Sequence, residues 1–153
     1  MYSKQEAAKF RQEFWTAFGL YMSPVLSADG LKINWINYKT GIKDIYFKMD
    51  ADGEQASVRI VLQHADAQLQ QLYFDQFTAL KKLFHQAVGE EWEWELHGTN
   101  EFGKTVSSIS KRLVPVSIFN REDWPKLISF FKPRMIALDE FWSSAQYSFQ
   151  SLG

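Results

Sequence analysis

The hydrophobic pattern of the chain begins with a helical period. Four aromatic residues recur at spacings of four, four and three: Phe10, Phe14, Phe18 and Tyr21. Such spacing places them on one face of a helix. Ser3, with Glu6 three residues later, is typical of a capping box at a helix start. We therefore predict an amphipathic first helix that ends near Pro24.

Strand patterns follow this helix. Residues 31–38 are predicted as a first strand, broken by a turn at residues 39–41. Residues 44–50 alternate, with Ile45, Phe47 and Met49 on one face, and residues 50–53 are typical of a hairpin turn. The return strand points one set of side chains inward: Ala56, Val58, Ile60 and Leu62.

The second half of the chain contains helix, strand and helix patterns in turn. Residues 69–87 form a continuous helical stripe with a stop at Gly89. Residues 91–96 and 104–113 are predicted strands. A last helix begins near residues 120–123, with Pro125 in its first turn, where a missing N–H is harmless. Because Pro133 falls inside it, we expect a kink there or two consecutive helices.

The predicted order is α-βββ-α-ββ-α, an α+β fold with a mainly antiparallel sheet packed by helices, in a single domain of residues 1–153. The first six elements are similar in order to the core of restriction-endonuclease-like nucleases. Those enzymes hold a metal with an acidic residue on the second core strand and a Glu-x-Lys pair on the third. No such pair stands in the third predicted strand, so a binding-only relative is favoured over an active nuclease.

Composition and charge narrow the function classes. With 153 residues, 46% of them hydrophobic, the chain can bury a core without disulfides, and the absence of cysteine excludes thiolate chemistry. With a net charge of −1, the protein as a whole does not attract nucleic acid electrostatically. Binding to nucleic acid would therefore require a local basic patch. The sequence contains neither a signal-peptide pattern nor a bilayer-spanning apolar stretch. We therefore expect a soluble cytoplasmic protein that does not engage a membrane.

Catalytic motifs are absent from the sequence. The three histidines are scattered, and neither a Gly-x-Ser-x-Gly elbow nor a phosphate-cradling glycine loop occurs. We predict no metal site and no cofactor. An enzyme with an unfamiliar polar site stays open as an alternative, with Glu13, Asp44 and His64 as the catalytic candidates.

Candidate binding residues lie in two places. One is the stretch of residues 34–41, where carboxamides, large aromatics and a lysine occur together; its candidates are Asn34, Asn37, Tyr38 and Lys39. The other is the hairpin, where Lys48 and Arg59 share the outward face and form a cationic patch for a phosphate or an acidic partner. Ordinary pairing with Asp44 and Asp50 is the alternative. Trp92 and Trp94 are interpreted as core residues, with a base-stacking platform as the alternative.

Five motifs in one order resemble an uncharacterised bacterial family, the domain of unknown function 4268. They are Phe14-Trp15-Thr16-Ala17-Phe18-Gly19, Asn34-Trp35-Ile36-Asn37-Tyr38-Lys39-Thr40-Gly41, Glu91-Trp92-Glu93-Trp94-Glu95, Asp123-Trp124-Pro125 and Leu138-Asp139-Glu140-Phe141-Trp142. The resemblance covers nearly the whole chain, in a stand-alone form associated with Bacteroidetes-type bacteria. It implies no established reaction, and the fusion of related domains to nuclease-like modules implies a connection with nucleic acid.

Three classes of function follow. The favoured one is a non-catalytic binding or interaction module with a nucleic-acid or protein partner, in the form of a nuclease-like domain without its metal site. An enzyme, either a metal-dependent nuclease or a hydrolase, is the second. The third is a homodimer whose interface uses the many aromatic residues, 16% of the chain.

Overall fold

The computed structural model of the chain describes residues 3–152, so Met1, Tyr2 and Gly153 of the predicted domain lie outside the described residues. Its elements are α1 (Lys4–Met22), β1 (Ile45–Ala51), β2 (Ala56–Leu62), α2 (Ala67–Ala79), α3 (Lys81–Val88), β3 (Glu93–Thr99), β4 (Thr105–Leu113) and α4 (Trp124–Ala145). The predicted α+β class is confirmed. Within residues 3–152, every helix is too short or too polar to cross a bilayer.

The strands form one sheet in the order β1-β2-β4-β3, and each neighbouring pair is antiparallel. The predicted hairpin joins β1 to β2, where the Asp52 carboxylate accepts hydrogen bonds from the N–H groups of Glu54 and Gln55 at 2.8 and 2.9 Å. Val58 and Ile60 are completely buried on the face covered by the helices. The opposite face, called here the outer face, carries the polar residues that alternate with them.

Helix α1 forms as the sequence predicts. Ser3 accepts from the N–H of Glu6 while Glu6 accepts from the N–H of Ser3, which completes the capping box. Phe14 and Phe18 are completely buried, and both rings contact Phe131 of α4. The aromatic stripe therefore holds α1 against α4.

The predicted helix over residues 69–87 is two helices instead of one. Leu80 separates α2 from α3, and its N–H is shared among three carbonyls of the preceding turn. Because of the break, aromatic rings from both helices pack in one core. Phe77 stacks on Trp142, and Phe84 contacts Trp92 edge to face. Sequence periodicity could not detect the break because the apolar spacing continues across it.

Helix α4 runs without interruption through Pro133, so of the two predicted alternatives, a kink or two consecutive helices, the second is not formed. Proline inside a helix costs about 3 kcal/mol. The neighbouring Phe131 and Met135 are both fully buried, and each large apolar side chain contributes roughly 1.5–3 kcal/mol on burial. Burial on both sides of the proline offsets its cost.

Residues 31–38, predicted as the first strand, form no strand. This segment is held by side-chain hydrogen bonds and not by the backbone hydrogen bonds of a strand. Asn34 accepts from the N–H groups of Ile36 and Asn37, and Trp35 donates to the carbonyl of Val25 at 3.0 Å. An asparagine that captures its own backbone competes with strand pairing. Only β1 and β2 precede α2 in the described chain, so the nuclease-like order of elements is not formed.

Candidate functional site

A cleft of about 560 Å³ lies on the outer face, between the strands and the turn that joins β3 to β4. It is called here the sheet cleft. Its floor is apolar and is formed by the buried side chains of Val61 in β2 and Val106 in β4. Its walls carry polar, charged and aromatic side chains, among them Lys48, Arg59, Gln63, Glu101, Phe102 and Lys104. A volume of this size is typical of ligand sites.

Strand register brings Lys48 and Arg59 together. They are direct partners across the β1–β2 pair, and both leave the sheet on the outer face because their neighbours point into the core. The Arg59 guanidinium pairs with Asp50 at 2.7 Å, while its buried Nε has no hydrogen-bond partner among residues 3–152. Lys48 lies over the Tyr46 ring, 5.4 Å from its centroid. One of the two predicted cations is thus partly neutralised, in agreement with part of the pairing alternative.

The β3–β4 turn forms the other wall and is held by its own hydrogen bonds. The carboxamide oxygen of Asn100 accepts from the N–H of Phe102 at 2.9 Å and from the N–H of Lys104 at 3.0 Å. Gly103, at φ +77°, supplies the left-handed conformation that the turn requires. The turn therefore presents Phe102 and Lys104 from a fixed backbone.

A buried carboxamide ties this turn to the rest of the cleft. Gln70 of α2 is completely buried and donates to the carbonyls of His64 and Thr105 at 3.0 and 3.1 Å. Its oxygen accepts from Ser107 at 2.5 Å, and Ser107 in turn accepts from the N–H of His97. One side chain thus clamps the end of β2 to the start of β4 and to the bulged part of β3.

His64 lies at the inner end of the sheet cleft and is 4% exposed. Its ring stacks on Tyr73 with centroids 4.4 Å apart, and neither ring nitrogen has a hydrogen-bond partner in the described part of the chain. Burial lowers the pKa of His64 below its usual 6.5, and the charge of Asp44 partly opposes that shift. The imidazole is therefore neutral at pH 7.

The three catalytic candidates do not converge. Asp44 lies near His64, just before β1, but Glu13 of α1 pairs with Arg121 near the hairpin turn, at the other end of β1 and β2. Both His64 nitrogens are shielded from solvent, so neither can meet a substrate in this arrangement. Among residues 3–152, no group of three or more histidine, aspartate or glutamate side chains is placed to hold a metal ion.

The segment of Asn34, Asn37, Tyr38 and Lys39 lies away from the sheet cleft and is bound to α4. The Tyr38 hydroxyl donates to Asp139 at 2.6 Å, and the other Asp139 oxygen accepts from the N–H of Ala28 at 2.7 Å. Burial, followed by the hydrogen bond to Asp139, raises the pKa of Tyr38. Asn37 and Lys39 are exposed on this segment. The contacts of Asn34 and Tyr38 give the segment a structural role.

The predicted binding residues thus separate into two groups. Lys48 and Arg59 line the sheet cleft, and the other four candidates do not. Phe102 and Lys104 are among the cleft residues that the sequence analysis did not identify. The signal available was Asn100-Glu101-Phe102-Gly103-Lys104 between two strands, since an aromatic residue beside glycine at a turn tip has no core to enter.

The fold and the cleft define an α+β protein with an antiparallel sheet, helices on one face and a cationic cleft on the other. Residues 10–146 match the family described as Domain of unknown function (DUF4268). The chain belongs to this family, as the five motifs indicate. No curated protein and no solved structure matches the chain.

Proposed function

We propose that this protein is a binding module for nucleic acid whose sheet cleft holds phosphate groups. The observation that carries the proposal is the placement of Lys48, Arg59 and Lys104 around one cleft. Lysine and arginine are the side chains that most often contact phosphate in protein complexes with nucleic acid.

Two of these cations are available to a ligand. Within residues 3–152, neither Lys48 nor Lys104 forms an ion pair, whereas Arg59 pairs with Asp50. A phosphate that enters the cleft would meet two ammonium groups directly and would compete with a surface carboxylate for the third cation. Such exposed ion pairs contribute little, so the exchange costs about 1 kcal/mol or less.

The low net charge of the protein determines how strong its binding to nucleic acid should be and how the affinity should depend on salt. With a formal charge of −1, attraction arises from the local patch alone. Each neutralised phosphate releases counterions, and three contacts to a single strand predict a slope of roughly −2 in log affinity against log salt concentration. We expect weak binding that falls with added salt.

The test is a titration of a labelled mixed-sequence oligonucleotide by fluorescence anisotropy at low and increasing salt. The double variant Lys48→Ala with Lys104→Ala should lose most of the binding and flatten the salt dependence. The matched control is Lys39→Ala with Lys82→Ala, which removes the same charge from exposed positions outside the cleft. Equal losses in both variants, or no binding by the wild type at low salt, would refute the proposal.

A self-association surface is a second candidate, favoured by exposed apolar residues near the end of α1. Five of them lie on this helix end and the segment that follows: Leu20, Tyr21, Leu26, Leu31 and Ile36. Exposed apolar patches of this kind are typical of protein interfaces. Sedimentation equilibrium of the wild type and of Leu20→Lys tests this candidate, because a concentration-dependent dimer should dissociate in the variant. A wild type that stays monomeric at high concentration excludes it.

A further inference from the structure

Among residues 3–152, Phe102 is the most exposed large hydrophobic residue, at 78% exposure. Aromatic rings usually bury most of their surface, and an exposed ring beside a ligand cleft is informative for that reason. Tyr73, Phe77 and Phe84, for comparison, all lie in the core. At this position the ring of Phe102 is open to a ligand that enters the sheet cleft.

The backbone beneath Phe102 is preorganised. Asn100 accepts from the N–H of Phe102, and the Asn100 N–H donates to the carbonyl of Lys104 at 2.9 Å. The Gly103 N–H donates to the Asn100 carbonyl at 3.0 Å, which closes the turn from inside. Because the backbone of the turn is already fixed, little backbone freedom is lost when a ligand packs on the ring.

The surroundings of Phe102 are cationic, with Lys104 two residues away on the same turn and Lys48 and Arg59 across the cleft. An apolar protein segment would gain nothing from these charges. A ligand with a planar ring and a phosphate would use both the aromatic face and the cations. Single-stranded nucleic acid has both groups at every residue, whereas a duplex keeps its bases stacked and paired.

We propose that Phe102 stacks on an unpaired base of a single-stranded nucleic acid whose phosphates are held by the cleft cations. This inference rests on the proposed function and specifies its ligand. Because every base has an aromatic face, the contact tolerates any base, and binding depends little on sequence. Glu101 lies beside Phe102 in the cleft. Because its carboxylate would repel a second phosphate, a base is favoured at this position.

The experiment compares three ligands of equal length: a single strand with bases, an abasic sugar–phosphate strand, and a duplex. The wild type should bind the single strand more tightly than the abasic strand or the duplex. Phe102→Ala should weaken binding to the single strand by roughly five- to 150-fold and leave the abasic strand unchanged. Phe102→Trp should retain the preference, and Tyr147→Ala, which removes an exposed aromatic residue after α4, is the matched control.

The outcomes separate the two proposals. Absence of binding to all three ligands overturns the proposed function. Equal binding of the single strand and the abasic strand by the wild type overturns the stacking inference and leaves phosphate binding in place. The same conclusion follows if Phe102→Ala binds like the wild type while circular dichroism shows both folded, or if the duplex binds as tightly as the single strand.

Discussion

Lys48 and Arg59 are direct partners across the β1–β2 pair, two cations opposed on one face of the sheet. Like charges in this position destabilise a sheet. Asp50 partly relieves the repulsion through its ion pair with Arg59 at 2.7 Å, and Lys48 lies instead over the Tyr46 ring. The sheet cleft thus contains two opposed cations and the carboxylate of Asp50 that pairs with one of them.

Replacement of Lys48 by threonine should therefore raise the stability of the protein and lower its affinity for nucleic acid. Lys48→Thr removes the repulsion and places a β-branched residue on the strand, but it also removes the contact with the Tyr46 ring. We therefore expect the free energy of unfolding to rise by less than about 1 kcal/mol. Oligonucleotide affinity should fall at the same time. Urea denaturation and anisotropy titration measure the two effects, and a variant that is less stable than the wild type would contradict the repulsion argument.

Removal of the competing carboxylate should strengthen binding. Asp50→Asn leaves Arg59 without its ion pair, which is exposed and worth about 1 kcal/mol or less to stability. The freed guanidinium should then contact phosphate, and the affinity at low salt should increase. Glu122→Gln, an exposed carboxylate beside α4 and outside the cleft, is the charge-matched control. If both variants gain equally, the effect reflects net charge alone.

The contact between Tyr38 and Asp139 should matter for stability and not for binding. Tyr38→Phe removes a 2.6 Å hydrogen bond to a buried carboxylate, and bonds to charged groups contribute about 1.5–3 kcal/mol. We expect thermal unfolding at a lower temperature with unchanged oligonucleotide affinity. If the variant lost binding while remaining as stable as the wild type, this segment would belong to the binding site.

Acid should destabilise the protein through His64. Its pKa in the folded state lies below 6.5 because it is buried, so the unfolded chain takes up the proton first. This contribution to stability is present above about pH 6.5 and is lost as the pH falls below it. Asp44 opposes the shift, Tyr73 stacks on the ring from α2, and Glu101 and Lys104 line the same cleft.

The pH dependence is measured by urea denaturation between neutral and mildly acidic pH. His64→Phe keeps a ring against Tyr73 but cannot be protonated, so its stability should fall less steeply on acidification. His85→Phe, on α3, is the control for the loss of a histidine elsewhere. Parallel pH profiles for the wild type and His64→Phe would show that His64 does not cause the acid sensitivity.

Local patterns predicted much of the fold. The capping box at Ser3, the hairpin after β1 and the stop at Gly89 all depend on short-range chemistry that a sequence displays directly, although the hairpin turn lies at residues 52–55 and not at the predicted 50–53. The segment 31–38 was mispredicted because its aromatic content is typical of a strand, while the contacts that decide its path come from α4, more than 100 residues away. Long-range anchors of this kind leave no periodic signal.

Only part of the site could be predicted, because the rest depends on contacts between strands that are distant in the sequence. Alternation along the hairpin placed Lys48 and Arg59 on one face without knowledge of the sheet. The contribution of Phe102 and Lys104 depends on β4 pairing with β2, an arrangement that places the β3–β4 turn beside the end of β2, away from the hairpin turn. Sequence alone did not order the strands as β1-β2-β4-β3, so the second wall of the cleft could not be predicted.

The proposed function requires that the sheet cleft bind nucleic acid through its cations. Its most direct test is the affinity for a single-stranded oligonucleotide at low salt, measured side by side for the wild type, Lys48→Ala with Lys104→Ala, and Lys39→Ala with Lys82→Ala. We predict salt-sensitive binding that is lost in the cleft variant and retained in the control. Equal affinities in the wild type and the cleft variant would contradict the account.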